Sequence, residues 1–257
     1  MLPRRRRRPD LSLLLALLLT ACGQGDASAP GGQEVIGLYS SLPIAWNESE
    51  DIKGLLADDS APHWVLQALR ERGRVIPLDT LANAQGALPL PESGVLVLAQ
   101  PRPLTAAENV ALDGWVRGGG RVLLFVDPML TAHSRFGPGD PRRPQDIAML
   151  SPILARWGLE LEFDEDQPAG ERLEGGIPVN LAGRFQPLGK SGGGSGKAGD
   201  VVAECRIEAA GLLADCTSGR GHVLALADAA VLENPDDSAD LAPRSAFLGD
   251  LLRRLAR

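Results

Sequence analysis

The stretch from Leu104 to Pro128, L-T-A-A-E-N-V-A-L-D-G-W-V-R-G-G-G-R-V-L-L-F-V-D-P, constrains the fold more than any other part of the chain. Thr105 followed by Glu108 is the capping box that opens a helix. Leu112, Trp115 and Val116 then recur at helical spacing and give that helix one apolar face. Gly118 to Gly120 stop it, because glycine takes the left-handed conformation that many helix exits use. Val122 to Val126 follows as a short apolar run without alternation, the pattern of a strand covered on both faces. Asp127 sets a carboxylate at the strand's C-terminal tip. The stretch predicts one helix-to-strand unit of an α/β sheet.

Similar units flank it. Val35 to Tyr39, Arg74 to Leu78, Gly94 to Ala99 and His222 to Ala227 read as strands, and Pro77 marks an edge position or a strand end. Pro62 to Arg72 and Ser245 to Ala256 read as amphipathic helices, Ile147 to Trp157 as a shorter one. Leu159 to Phe163 alternates like a half-exposed strand. The alternation predicts an α/β fold: a three-layer, mostly parallel, doubly wound sheet, Rossmann-like, with a C-terminal β-hairpin. Gly137 to Pro144 reads as a long loop, and Asp164 to Gly199 as the least ordered stretch, with Gly189 to Gly199 a low-complexity insert.

The first 21 residues stand apart from this fold. Arg4 to Arg8 form a positive region, Leu11 to Leu19 an apolar one, and Leu19-Thr20-Ala21-Cys22 follows at once. That is a secretory signal, too short to span a bilayer. Its end resembles the bacterial lipoprotein box, which makes Cys22 the acylated first residue of the mature chain; the alternative is an ordinary signal peptide with an incidental cysteine. Gly23 to Gln33 then reads as a flexible tether, and residues 34–257 as one domain. The whole chain carries a net charge of −7; removing five arginines and one aspartate with the leader makes it −11. A charge of that sign argues against nucleic acid and against an anionic surface as an electrostatic partner. Contact with the membrane is therefore expected through the lipid, on the periplasmic side of a bacterial membrane. No second apolar segment is long enough to span a bilayer.

Lipidation of Cys22 leaves Cys205 and Cys216 in an oxidising compartment. They lie symmetrically about Ala210-Gly211, between the strand-like runs Val201–Ala209 and Leu212–Thr217, so a hairpin centred on that pair sets them opposite each other. A disulfide is expected, with two free buried thiols as the alternative. A two-residue turn would put them at a hydrogen-bonded position, where a cross-strand bridge fits less well.

The order of the pieces, L-T-x-x-E, W-V-R-G-G-G-R-V-L-L-F-V-D-P, P-I-L-A-R-W-G-L-E-L, G-R-G-H-V-L-A-L-A-D-A-A-V-L-E-N and a closing helix, resembles one family. It is similar to the soluble domain of the ABC-type uncharacterised transport system auxiliary proteins, of gliding-motility type, from Val35 onward. The resemblance implies a class I glutamine-amidotransferase-like sheet and, as partners, the permease and ATPase subunits of an ABC transporter. Members of that family are held by transmembrane helices, whereas this chain begins like a lipoprotein.

The chemistry of an active amidotransferase is not legible here. Such an enzyme needs a cysteine on a tight strand-to-helix turn with a histidine and a carboxylate in reach. The turn after the third strand, Gln100-Pro-Arg-Pro-Leu104, holds none, and no G-x-S-x-G elbow supplies a serine instead. Gly196-Lys197 lacks the rest of a P-loop, and Gly118 to Gly120 follow a helix instead of preceding one. His63, His133 and His222 are isolated, so neither a metal nor a cofactor is expected. What remains is the C-terminal edge of the sheet, where Ser40, Ser41, Gln100, Arg102, Asp127 and Asp228 gather as a possible binding edge and Trp46 with the Asn47–Asp51 segment forms a rim. A plainer role for Asp127 and Asp228 is to cap the loops that follow them. The leading expectation is a non-enzymatic, lipid-anchored accessory of an ABC-type transport system. The alternatives are a periplasmic hydrolase using the edge carboxylates and a solute-binding lipoprotein.

Overall fold

The structure is a computed structural model, and it describes residues 33–48, 62–188, 203–234 and 241–256. The leader, Cys22, the tether up to Gly32, residues 49–51 of the expected rim and the glycine-rich 189–199 insert lie outside the described residues.

The capping box forms as expected. Thr105 Oγ1 accepts from Glu108 N at 3.2 Å, and Glu108 Oε2 accepts from Thr105 N at 2.9 Å. Helix α2 (Ala106–Arg117) thus starts with two of its orphan main-chain donors matched. It follows helix α1 (Trp64–Arg72), and its exit uses Gly119, whose φ of 123° excludes a side chain. The apolar run becomes strand β4 (Arg121–Phe125), four of its five residues buried.

Strands β1 (Glu34–Ser40), β2 (Gly73–Pro77) and β3 (Val95–Ala99) precede β4. Strands β9 (Ala203–Glu208), β10 (Leu213–Ser218) and β11 (Gly221–Leu226) complete one sheet in the order β2-β1-β3-β4-β11-β10-β9. All pairs from β2 to β11 are parallel, and β10 and β9 are antiparallel additions at one edge. Pro77 is the last residue of the edge strand β2, where a missing N–H breaks no ladder.

Two apolar clusters flank the sheet. One joins Val65, Leu66 and Leu69 of α1 to Leu248, Leu251 and Leu252 of α4 (Ala242–Leu255). The other joins Leu112, Trp115 and Val116 of α2 to Ile153 and Leu154 of α3 (Ser151–Arg156). The strands face both clusters, which accounts for their unbroken apolar sequences. At Gly221 the start of β11 passes so close under α2 that a Cβ would lie 1.9 Å from Val116 O.

Three expectations need correction. Part of the stretch from Asp164 onward is ordered: β5 (Leu159–Phe163) pairs with β8 (Gly183–Pro187), and β6 (Arg172–Glu174) pairs with β7 (Ile177–Val179), as two small antiparallel pairs beside the main sheet. Helix α3 is shorter than the apolar pattern of Ile147 to Trp157, because Pro152 stands in its first turn and fixes the start. The hairpin turn is longer than two residues: Glu208 pairs with Leu213, so four residues make the turn, with Ala209 and Ala210 at φ of 49° and 53°.

That longer turn changes the cysteine geometry. Cys205 and Cys216 remain directly opposite and form a disulfide, with their Cα atoms 4.0 Å apart. This is the short spacing of a non-hydrogen-bonded pair, not the wider one of a hydrogen-bonded pair. No helix among the described residues is long and apolar enough to cross a membrane.

Candidate functional site

The winding of the sheet marks one place on it. From β1 the chain passes outward to β2, then returns to lay β3 on the other side of β1. At such a switch point the loops leaving neighbouring strands diverge and open a crevice at the carboxyl ends. Ser40 and Ser41 leave β1 there, and Gln100 leaves β3. The two ends are tied: Ser41 Oγ donates to Gln100 O at 2.5 Å and accepts from Gln145 N at 2.9 Å.

A crevice of about 240 Å³ lies at this point, lined by Ser40, Ser41 and Arg102 with Trp46, Asn47, Phe136 and Arg142. The rings of Trp46 and Phe136 stack with centroids 6.3 Å apart, inclined by 25°. Arg142 lies over the Phe136 ring at 4.1 Å, a cation–π contact, and Asp140 grips its Nε and Nη2 at 3.1 and 2.9 Å. Arg102 Nη2 donates to Pro141 O at 2.6 Å and to Arg143 O at 3.3 Å. The loop that contains Gly137 to Pro144 is thereby fastened across the crevice, bringing Phe136 and Arg142 to it. Neither residue was expected there: a loop's sequence does not state where the loop lies. The arrangement can receive an apolar or ring-bearing group against Trp46 and Phe136, with hydroxyls and a guanidinium at the rim.

The other three edge residues lie apart from the crevice lining and are fully buried: Gln100, Asp127 and Asp228 are each 0% exposed. Gln100 has a φ of 45°, which turns the chain at the end of β3. Asp127 Oδ1 accepts from Met129 N at 2.8 Å, and its Oδ2 from Ala229 N at 3.3 Å. Asp228 Oδ2 accepts from Asn180 N at 2.9 Å, and its Oδ1 from Ala230 N at 2.5 Å. Each carboxylate thus holds together loops from separate strands. Burial pushes the Asp127 carboxyl up to about 6 against the pull of its two N–H partners. Burial and the neighbouring Asp127 charge push Asp228 up to about 8.

A third acid, Glu233, which the sequence did not single out, joins them. Burial, with the Asp127 charge, pushes it up to about 7. Across from it Arg244, only 4% exposed, donates to Ala230 O and Glu171 Oε2.

Among the described residues no group of three or more histidines, cysteines or acids is placed to hold a metal ion. His63 caps α1, its Nδ1 accepting from Val65 N at 3.3 Å, and burial lowers it to about 4. His222 Nε2 meets Asp215 Oδ1 at 2.9 Å on the other edge of the sheet. Cys205 and Cys216 are consumed in their disulfide, so neither is a thiol nucleophile.

Among solved structures the chain is similar to an exo-β-1,4-mannosidase from Opitutaceae bacterium strain TAV5, at 14% identity and a TM-score of 0.42, with 88% of this chain and 35% of that one covered. It is also similar to a catalytic mutant of the GH42 β-galactosidase Gan42B from G. stearothermophilus, at 13% identity and a TM-score of 0.43, covering 88% of this chain and 30% of that one. A β-galactosidase from Rahnella sp. R3 gives 11% identity and a TM-score of 0.38, over 87% of this chain and 31% of that one. The chain thus spans about a third of the length of these proteins. The likeness is too loose to bear on function. No curated protein matches the chain. One family does, over residues 33–180, which take in β1 to β7 and the crevice. By that match, which covers more than half of its length, the chain belongs to the family described as ABC-type uncharacterized transport system.

Proposed function

We propose that this protein is a non-catalytic accessory component of an ABC-type transport system, held by a lipid on Cys22 at the periplasmic side of a bacterial membrane. It acts by binding at the crevice of the sheet's switch point. We read the domain as an amidotransferase-like sheet whose catalytic corner carries no nucleophile.

Family membership supports the transport role. The observation that carries the mode of action is the crevice itself. Stacked Trp46 and Phe136, with Arg142 over the Phe136 ring, stand where a doubly wound sheet presents its ligand site. A hydrolase would instead need Asp127 and Asp228 to reach a substrate, yet both are buried and already accept main-chain N–H groups.

The test is co-purification of the full chain from detergent-solubilised membranes. Permease and ATPase subunits are expected with the wild type and are expected to be depleted with Trp46→Ala, whose melting temperature should stay within a few degrees. Recovery of neither subunit with the wild type defeats the transport reading. Equal recovery with both forms defeats the crevice as the contact.

A further inference from the structure

The opposite edge of the sheet, where β4 and β11 begin, holds a larger cavity of about 750 Å³. Four arginines from four separate places in the fold reach its wall: Arg121 at the start of β4, Arg206 on β9, Arg220 in the turn before β11 and Arg254 in the last turn of α4. Asp215 is the one carboxylate among the described lining residues. In a chain of net charge −7 that convergence is unusual, since its acids outnumber its bases.

Two of the four are fixed in place. Arg121 Nη2 donates to Glu34 Oε1 at 2.9 Å and to Ser93 O at 2.8 Å. Arg254 Nη2 donates to Asp215 Oδ2 at 2.8 Å and to Glu208 Oε2 at 3.1 Å. Arg206 and Arg220 are 76% and 75% exposed at their side chains, and their partners hold them through Nε and Nη2. In all four the Nη1 group makes no hydrogen bond among the described residues. Each guanidinium therefore keeps donors for a further acceptor.

We infer that this cavity binds the phosphate group of an organic phosphate ester. Guanidiniums arriving from several directions match a tetrahedral oxyanion, whereas a single carboxylate offers two oxygens in one plane. The cavity is far larger than a phosphate ion, so the ligand carries an organic body beside the anion. Two sources share this chemistry: an anionic phospholipid headgroup and a soluble phosphate ester. Arg121 is bonded to Glu34, the first residue of β1, so the cavity lies at the end of the sheet where β1 begins. The site shares no residue with the crevice and stands or falls separately from it.

The experiment is thermal unfolding of the full chain in a non-ionic detergent, titrated with glycerol 3-phosphate at ionic strength held constant by chloride. A saturable rise in melting temperature is expected for the wild type. The double variant Arg206→Gln/Arg220→Gln, altered at exposed positions, should need at least about ten times more ligand for the same rise, as the loss of charged hydrogen bonds implies. No rise beyond that in chloride, or an equal rise in the double variant, overturns the inference. Dihexanoyl phosphatidylglycerol acting below the concentration of glycerol 3-phosphate identifies the headgroup as the source, and the reverse order identifies a soluble ester. If dihexanoyl phosphatidylcholine matches phosphatidylglycerol in both wild type and double variant, the effect is that of the acyl chains and the inference fails.

Discussion

The side-chain amide of Gln100 clasps the main chain of Asp127 in both directions. Nε2 donates to Asp127 O at 2.9 Å, and Oε1 accepts from Asp127 N at 2.8 Å. A further bond from Nε2 reaches Gln145 O at 2.8 Å. One side chain thus extends the pairing of β3 and β4 past the end of the ladder. Gln100→Ala leaves buried main-chain groups without partners and is expected to cost about 2–4 kcal/mol in denaturant unfolding. A change below about 0.5 kcal/mol would show that water replaces the amide without loss.

The buried acids make stability depend on pH with a definite sign. Asp127, Glu233 and Asp228 are raised to about 6, about 7 and about 8, whereas unfolded carboxyls titrate near about 4. In that window the folded state holds protons that the unfolded state has released, so stability falls as pH rises. His63, lowered to about 4, opposes this only below about pH 6.5, the range in which its unfolded form is still charged. Between about pH 6.5 and about pH 8.5 a loss of about 3 kcal/mol is expected, and Asp228→Asn should remove most of it. Urea unfolding at the two pH values checks this; stability that rises across the interval contradicts it.

The disulfide spans a sequence separation of 11 residues. Closing a loop of that size contributes about 2–3 kcal/mol by restricting the unfolded chain. Dithiothreitol, or Cys205→Ser with Cys216→Ser, is expected to lower the unfolding free energy by that amount. Circular dichroism should still report the sheet, because Leu213 and Ala214 stay packed in the core.

Glu108 does more than close the capping box. Its Oε1 accepts from Thr80 Oγ1 at 3.0 Å and Leu81 N at 3.1 Å, tying the loop after β2 to the start of α2. Thr105→Ala should cost about 1 kcal/mol, the usual value of an N-cap. Glu108→Ala should cost about 2–3 kcal/mol, since it also strands the Leu81 N–H. Equal costs for the two would mean that the loop contact adds nothing.

The central layers were legible in the sequence because burial on both faces writes itself as unbroken apolar runs, as in Val95–Ala99 and Leu123–Phe125. The helices were legible through Thr105, Glu108 and the apolar stripes. Strand β5 was legible by its alternation, but its partner β8 and the pair β6–β7 were not. Arg172-Leu-Glu and Ile177-Pro-Val are three residues each, too short to show a period, and ion pairs from Glu174 to Arg172 and Arg184 help to hold them. The site was half legible. Ser40, Ser41, Trp46 and Arg102 line the crevice from strand ends and nearby loops. Phe136 and Arg142 arrive through a loop folded back by Arg102, a long-range contact that local pattern does not encode.

The seven residues of β1 separate the two ends of the sheet by about 20 Å, six steps at the rise of an extended strand. Ser40 opens on the aromatic crevice, while Glu34 stands beside the arginines. The backbone of β1 is thus a fixed spacer: groups held at the crevice and at the cavity would stay one strand-length apart, at opposite ends of the same sheet.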